Sequence, residues 1–148
     1  MSGIKIEKID HIGIRVRNLN RALAFYEVLG FKLALRVAFD AVAIIRNEHG
    51  VEINLILNAN AGDPEKNILM DLDEKYAGYT HAALRVASIN DTMAALKAAN
   101  IKITQGPSKF GDDGGVSLFV RDPDRNVIEL RGRDTGDIPG ITRYTNVN

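Results

Sequence analysis

Two histidines and a glutamate hold most of the chemistry that this sequence offers. His11 lies in Asp10-His11-Ile12-Gly13-Ile14-Arg15-Val16, and the pattern returns seventy positions later as Thr80-His81-Ala82-Ala83-Leu84-Arg85-Val86. At a strand's period of two, histidine and arginine share one face of each copy and the apolar residues share the other. Alternation on later strands brings Glu52 and Asn54 to the polar face of the first copy, and Glu129 and Arg131 to that of the second. Two imidazoles and a carboxylate on adjoining strands are a ligand set for one divalent metal ion, and mixed N/O ligation suits Ni, Zn, Co, Mn or Fe. Three ligands, His11, His81 and Glu129, leave positions open for water or substrate, as a catalytic centre requires. A lone strand histidine is usually structural. Recurrence at equivalent positions, with a glutamate facing the same way, favours ligation. Arg15, Arg85 and Arg131 either hold an anionic substrate or pair with Glu52 and the ligand carboxylates. His49 falls in a turn outside the repeat and is expected in solvent.

The elements that must position these residues form one unit, used twice. A strand over 8–16 leads to a helix entry at Arg17-Asn18-Leu19-Asn20, with asparagine available as N-cap. Leu19, Ala22, Leu23, Tyr26 and Leu29 then make an apolar stripe at helical spacing, and Gly30 stops the helix. Strands follow at 31–38, 41–46 and 51–57, with Asn47-Glu48-His49-Gly50 turning into the last. In the second copy Asn100 stands where Gly30 stands in the first. These are the two residues that best tolerate a left-handed helix terminus. A longer connection from Gly106-Pro107 to Gly114-Gly115 then changes the offset to seventy-five, so that Ala43-Ile44-Ile45-Arg46 matches Leu118-Phe119-Val120-Arg121 and Ile53-Asn54-Leu55 matches Ile128-Glu129-Leu130. The fold class is α+β: two tandem βαβββ modules forming a curved, cup-shaped mixed sheet with its helices outside. One domain over 1–148 is expected, with module 1 at about 8–58, a linker at about 59–78, module 2 at about 79–133 and a tail at 134–148 packed on a surface or a partner. The polar linker, with its charged run Asp71-Leu72-Asp73-Glu74-Lys75, is read as a connection, the alternative being a lid over a site.

Composition removes several functions. Lysine plus arginine equals aspartate plus glutamate, so no basic excess points to nucleic acid or an anionic membrane. With no cysteine, disulfides, thiolate metal sites and cysteine nucleophiles are excluded. The charged N-terminus lacks a signal-peptide core, and no apolar run reaches the roughly 20 residues of a membrane span, so a cytoplasmic protein is expected.

The repeated module, with DHIGIRV (10–16), THAALRV (80–86) and LFVRDPDRNVIELR (118–131), resembles the vicinal oxygen chelate superfamily over about 8–131. That superfamily includes glyoxalase I, extradiol dioxygenases, methylmalonyl-CoA epimerase and the fosfomycin and bleomycin resistance proteins. The resemblance implies a metal-dependent lyase or isomerase similar to glyoxalase I, moving a proton through a metal-bound enediolate, with Glu129 or Glu52 as the base. Its alternatives are an Fe(II) ring-cleaving dioxygenase, disfavoured because His49 is the only histidine left and Tyr76 and Tyr79 lie in or beside the linker, and a non-catalytic small-molecule binding protein. The glyoxalase ligand pattern His, Glu, His, Glu carries over onto His11, His81 and Glu129. The fourth place departs from it: the ungapped repeat sets Asn54 opposite Glu129, and Glu52 lies two residues earlier on the same face, about 6–7 Å along the strand. Either Glu52 is the ligand after a register slip of two, or Asn54 offers an amide oxygen, or the site has three ligands. The Asp122-Pro123-Asp124-Arg125-Asn126 turn carries arginine where the family usually has glycine. The resemblance further implies a small-molecule substrate and a homodimer.

Overall fold

The computed structural model describes residues 3–63, 65–110, 114–133 and 136–144, without the Phe110 side chain. Residues 134, 135 and 145–148 of the expected tail, and 111–113 of the lengthened connection, lie outside the described residues. The chain divides into two compact units, Met1–Ala61 and Gly62–Asn148.

Unit 1 runs β1 (Ile12–Arg15), α1 (Leu19–Val28), β2 (Lys32–Arg36), β3 (Val42–Arg46) and β4 (Glu52–Ile56). Its sheet order is β1-β4-β3-β2, with β1 parallel to β4 and the other pairs antiparallel. Asn18 caps α1, its side chain accepting from the Arg21 N–H at 2.9 Å, which satisfies one of the helix's unpaired first-turn donors. Gly30 follows at φ 91. The helix buries Ala22, Phe25 and Tyr26 rather than the whole predicted stripe; Leu19, Leu23 and Leu29 are half-buried. Tyr26 meets Phe25 and Phe31 edge-on, at centroid distances of 4.9 and 6.3 Å. Ile14, Ala43, Ile45, Ile53 and Leu55 complete this core at alternate strand positions, leaving the opposite strand faces to His11, Arg15, Glu52 and Asn54.

Unit 2 repeats the plan with β5 (His81–Arg85), α2 (Ile89–Ala98), β6 (Ile103–Phe110), β7 (Gly115–Arg121) and β8 (Val127–Arg133), and adds β9 (Thr142–Tyr144). The order is β5-β8-β7-β6-β9, with β9 parallel to β6. The tail therefore extends its own sheet, with Ile138 buried on the way. Ser88 caps α2 as Asn18 caps α1, and Asn100 takes the left-handed position at φ 57. Gly132 lets α2 approach β8, since a Cβ there would lie 3.0 Å from Ile89 Cγ1.

The repeat holds at the level of register. Leu33 pairs with Ile45 in unit 1 and Ile103 with Val120 in unit 2, and each pairing is followed by an irregularity before Leu35 or Gln105. The change of offset appears as longer β6 and β7 strands, with a second shift between Gln105 and Ser108 where Gly106 sits at φ 89.

Candidate functional site

Each unit brings one histidine to one glutamate. In unit 1, Glu52 Oε2 lies 3.8 Å from His11 Nδ1, and the side chain of Asp10 approaches that same nitrogen at 2.6 Å. Ligand atoms of Asp10, His11 and Glu52 all lie within 4.8 Å of one another. In unit 2, Glu129 Oε2 lies 3.6 Å from His81 Nε2, while Thr80 Oγ1 lies 2.9 Å from His81 Nδ1. Phe119 packs edge-on against the His81 ring and is the cross-strand neighbour of Glu129. Both glutamates are well sheltered and both histidines partly exposed.

Register answers one question left open by the sequence. Gly13 pairs with Asn54 in β1–β4, and Ala83 pairs with Glu129 in β5–β8. Asn54 and Glu129 are thus equivalent lattice positions, with no slip of two. Glu52 nevertheless is the β4 residue whose carboxylate approaches His11. Asn54 has its own peculiarity: its Oδ1 is buried without a hydrogen-bond partner among the described residues. An orphaned acceptor of this kind costs about 1–3 kcal/mol, and one on the polar face of β4 is suited to a cation or a donor.

The donor set fits a divalent ion. Ligand bonds of 2.0–2.2 Å place neighbouring ligand atoms roughly 3.4 Å apart in a tetrahedral shell. The 3.6 Å between Glu129 Oε2 and His81 Nε2 is close to that, and Glu52 lies 3.8 Å from the nearer nitrogen of the His11 ring. The Asp10–His11 contact at 2.6 Å is too short for two ligands and is a hydrogen bond. That bond, followed by the histidine's charge, holds the Asp10 carboxyl below its usual range.

The three arginines separate. Arg15 donates to Asn58 Oδ1 at 2.9 Å, Arg85 is exposed on β5, and Arg131 donates to Ser117 Oγ at 2.8 Å, its guanidinium lying where a Cβ on Gly115 would fall. The cation that pairs with Glu52 is Arg46, Nε to Oε1 at 2.7 Å. Sequence reading passed over it. The signal was present, since Arg46 and Glu52 flank the connection through Asn47-Glu48-His49-Gly50 and pair directly in β3–β4. His49 is exposed as expected.

A second polar cluster fastens the charged run of the linker to the β7–β8 turn. Asp71 accepts two bonds from Arg121 at 3.0 Å and one from the Asn67 N–H at 2.7 Å, with Arg125 at 3.4 Å. Residues 62–78 thus belong with unit 2. In the turn, Asp122 Oδ1 accepts from the N–H groups of Asp124 and Asn126, and Arg125 takes φ 66 in the place of the usual glycine. Burial pushes the Asp71 carboxyl up, but the Asn67 N–H and the two guanidiniums outweigh it and bring the pKa to about 2. Its stabilisation is full above the unfolded value of 3.8 and is lost as pH falls through about 2. Acid titration of unfolding free energy is expected to show a loss of about 2 kcal/mol across that window. Asp71→Asn removes that component, and an unchanged acid limb in the variant would refute the assignment.

Comparison with known proteins places this geometry in context. The model of the Glyoxalase/Bleomycin resistance protein/Dioxygenase superfamily matches residues 8–130. A Salmonella typhimurium protein named as a virulence protein is 29% identical over 134 residues, covering 84% of this chain and 83% of the relative. A Vibrio cholerae protein named "Probable lactoylglutathione lyase" is 27% identical over 132 residues, covering 83% of this chain and 88% of its own length. The crystal structure of a glyoxalase/dioxygenase from Nostoc punctiforme superposes with a TM-score of 0.67 at 19% identity, over 90% of this chain and 98% of that one, a likeness of fold.

Proposed function

From its place in the Glyoxalase/Bleomycin resistance protein/Dioxygenase superfamily, to which the chain belongs, we propose that it is a metal-dependent lyase or isomerase similar to glyoxalase I. The observation that carries this reading is the duplicated half-site, His11 with Glu52 and His81 with Glu129, each an imidazole within 4 Å of a glutamate on the last strand of its βαβββ module. We assign His11, His81 and Glu129 as ligands of one divalent ion, with Glu52 or Asn54 as the fourth. A bound ion would supply Lewis-acid stabilisation of negative charge that develops on substrate oxygen.

The protein's own groups then move the proton. Glu52 is engaged by Arg46, whereas Glu129 has Phe119 and Ala83 as cross-strand neighbours. Glu129 is therefore the carboxylate that takes a proton from substrate carbon and returns it to the neighbouring carbon, a task that needs direct reach or one water. Phe119 narrows the approach to Glu129 and His81. Arg131 and Arg15 are the cations assigned to an anionic part of the substrate, and Arg85 is added on the exposed edge. The same reading makes the protein a cytoplasmic homodimer acting on a small metabolite, as one domain built from both units. Among the described residues no helix is long and apolar enough to cross a membrane.

The test is metal analysis of the purified protein, followed by an assay with methylglyoxal and glutathione after loading with Ni, Zn, Co, Mn or Fe. Stoichiometric metal with isomerisation supports the reading. Oxygen uptake with catechols under Fe(II) would replace it with ring cleavage, and absence of metal uptake would replace it with a binding protein.

A further inference from the structure

We infer that Asp10 and Thr80, the residues just before the two histidines, are positioning residues that decide which ring nitrogen each histidine presents. This rests on the metal reading above for its purpose, though not for its geometry. In both units the preceding side chain meets the same atom: Asp10 Oδ1 at 2.6 Å from His11 Nδ1, and Thr80 Oγ1 at 2.9 Å from His81 Nδ1. Successive residues within a strand point to opposite faces and do not meet this way. The contact forms because positions 10 and 80 lie ahead of β1 and β5, where the chain is not yet extended into the ladder.

Unit 2 shows the consequence directly. With Nδ1 held by Thr80, His81 turns Nε2 toward Glu129 at 3.6 Å, the spacing of two ligands on one ion. In unit 1, two carboxylates compete for His11 Nδ1, Asp10 at 2.6 Å and Glu52 at 3.8 Å. Glu52 is tied to Arg46, and the shorter, charge-assisted contact to Asp10 is the stronger. Nδ1 is thereby occupied, and Nε2 is the nitrogen left for coordination.

The two devices differ in kind. An ionised carboxylate only accepts, so neutral His11 must carry its proton on Nδ1, donate it to Asp10 and hold its lone pair on Nε2. Neutral imidazole in water prefers the opposite tautomer, so Asp10 reverses the ordinary state of the ring. A hydroxyl both donates and accepts. Thr80 therefore fixes the direction of the His81 ring and leaves its tautomer to whatever faces Nε2. Orienting partners of this type typically alter metal affinity 10–100-fold.

The experiment reads ring nitrogen shifts of ¹⁵N-histidine in the metal-free protein, at a pH where imidazoles are neutral, alongside Zn²⁺ and Co²⁺ affinities. Wild-type His11 is expected to show a pyrrole-like Nδ1 and a pyridine-like Nε2. Asp10→Ala should reverse these and weaken metal binding about 10–100-fold, while Asp10→Asn, whose amide both accepts and donates, should hold the ring's direction without fixing its proton on Nδ1. Thr80→Val should weaken binding, and Thr80→Ser should restore it. A wild-type His11 already protonated on Nε2 overturns the inference, as does an Asp10→Ala variant that binds metal like the wild type. His11→Ala separates the two readings. Undiminished metal binding in that variant would dismiss the ligand assignment, while tautomer reversal in Asp10→Ala would still establish Asp10 as the residue that sets the ring.

Discussion

Glu129→Gln is expected to lower kcat/KM by about 10²–10⁴-fold, the range that a positioned general base contributes, and to weaken metal binding at the same time. Glutamine keeps the shape of the side chain and removes its ability to accept a proton from carbon. The position is well suited to so clean a substitution. Glu129 is half-buried at the middle of β8, its backbone pairing with β5 on one side and β7 on the other. The strand's folding rests on Ile128 and Leu130, which face the core. Thermal unfolding of the variant should therefore match the wild type. Glu52→Gln makes the useful contrast, because it also strips Arg46 of its partner at 2.7 Å. Full activity and full metal content in Glu129→Gln would remove this residue from the mechanism.

Gly106→Ala is expected to destabilise the protein by roughly 3 kcal/mol or more. Two effects add. The residue sits at φ +89, where a side chain costs about 1–3 kcal/mol. A Cβ there would also lie 2.6 Å from the Ser117 carbonyl oxygen and 3.0 Å from Leu118 Cα, both backbone atoms of β7 that have no rotamer by which to yield. Gly50→Ala is the control, since its φ is +78 but a Cβ would meet nothing within 4 Å, and only the conformational cost of about 1 kcal/mol applies. Denaturant titration compares the two. A Gly106→Ala loss no larger than that of Gly50→Ala would show that β7 moves aside freely. Ser117 also holds Arg131, so under the role proposed for Arg131 a displaced β7 should weaken substrate binding as well.

Both expectations depend on features of differing visibility in the sequence. The module, its duplication and the change of offset were legible because side-chain alternation and helix spacing are local and periodic. Gly30 and Asn100 announced the left-handed helix ends that they form. The equivalence of Asn54 and Glu129 followed from counting, and the registers bear it out. Other features had no such signal. Asp71 meets Arg121 across fifty positions, and nothing in a polar charged run distinguishes this carboxylate from its exposed neighbours. Strand β9 has three residues, too few for a period to show. Arg46 was overlooked for a different reason: it belongs to the polar face only once the β3–β4 pairing is drawn. Asp10 and Thr80 escaped notice because alternation assigns them to the wrong face, and they reach their histidines only by lying outside the strands.

The amide at position 54, set where its counterpart carries a carboxylate, also fixes a charge balance. In the proposed centre, two imidazoles and Glu129 would bring one negative charge to a divalent ion, leaving a net charge of about +1 if Asn54 completes it. With Glu52 as fourth ligand the centre would be neutral, although Arg46 already offsets that glutamate. The Asn54 version therefore attracts anions, and its occupancy should rise with substrate bound and yield to competing anions such as oxalate. Asn54→Asp should make metal retention less sensitive to those anions, in exchange for a weaker hold on the charge that develops during proton transfer.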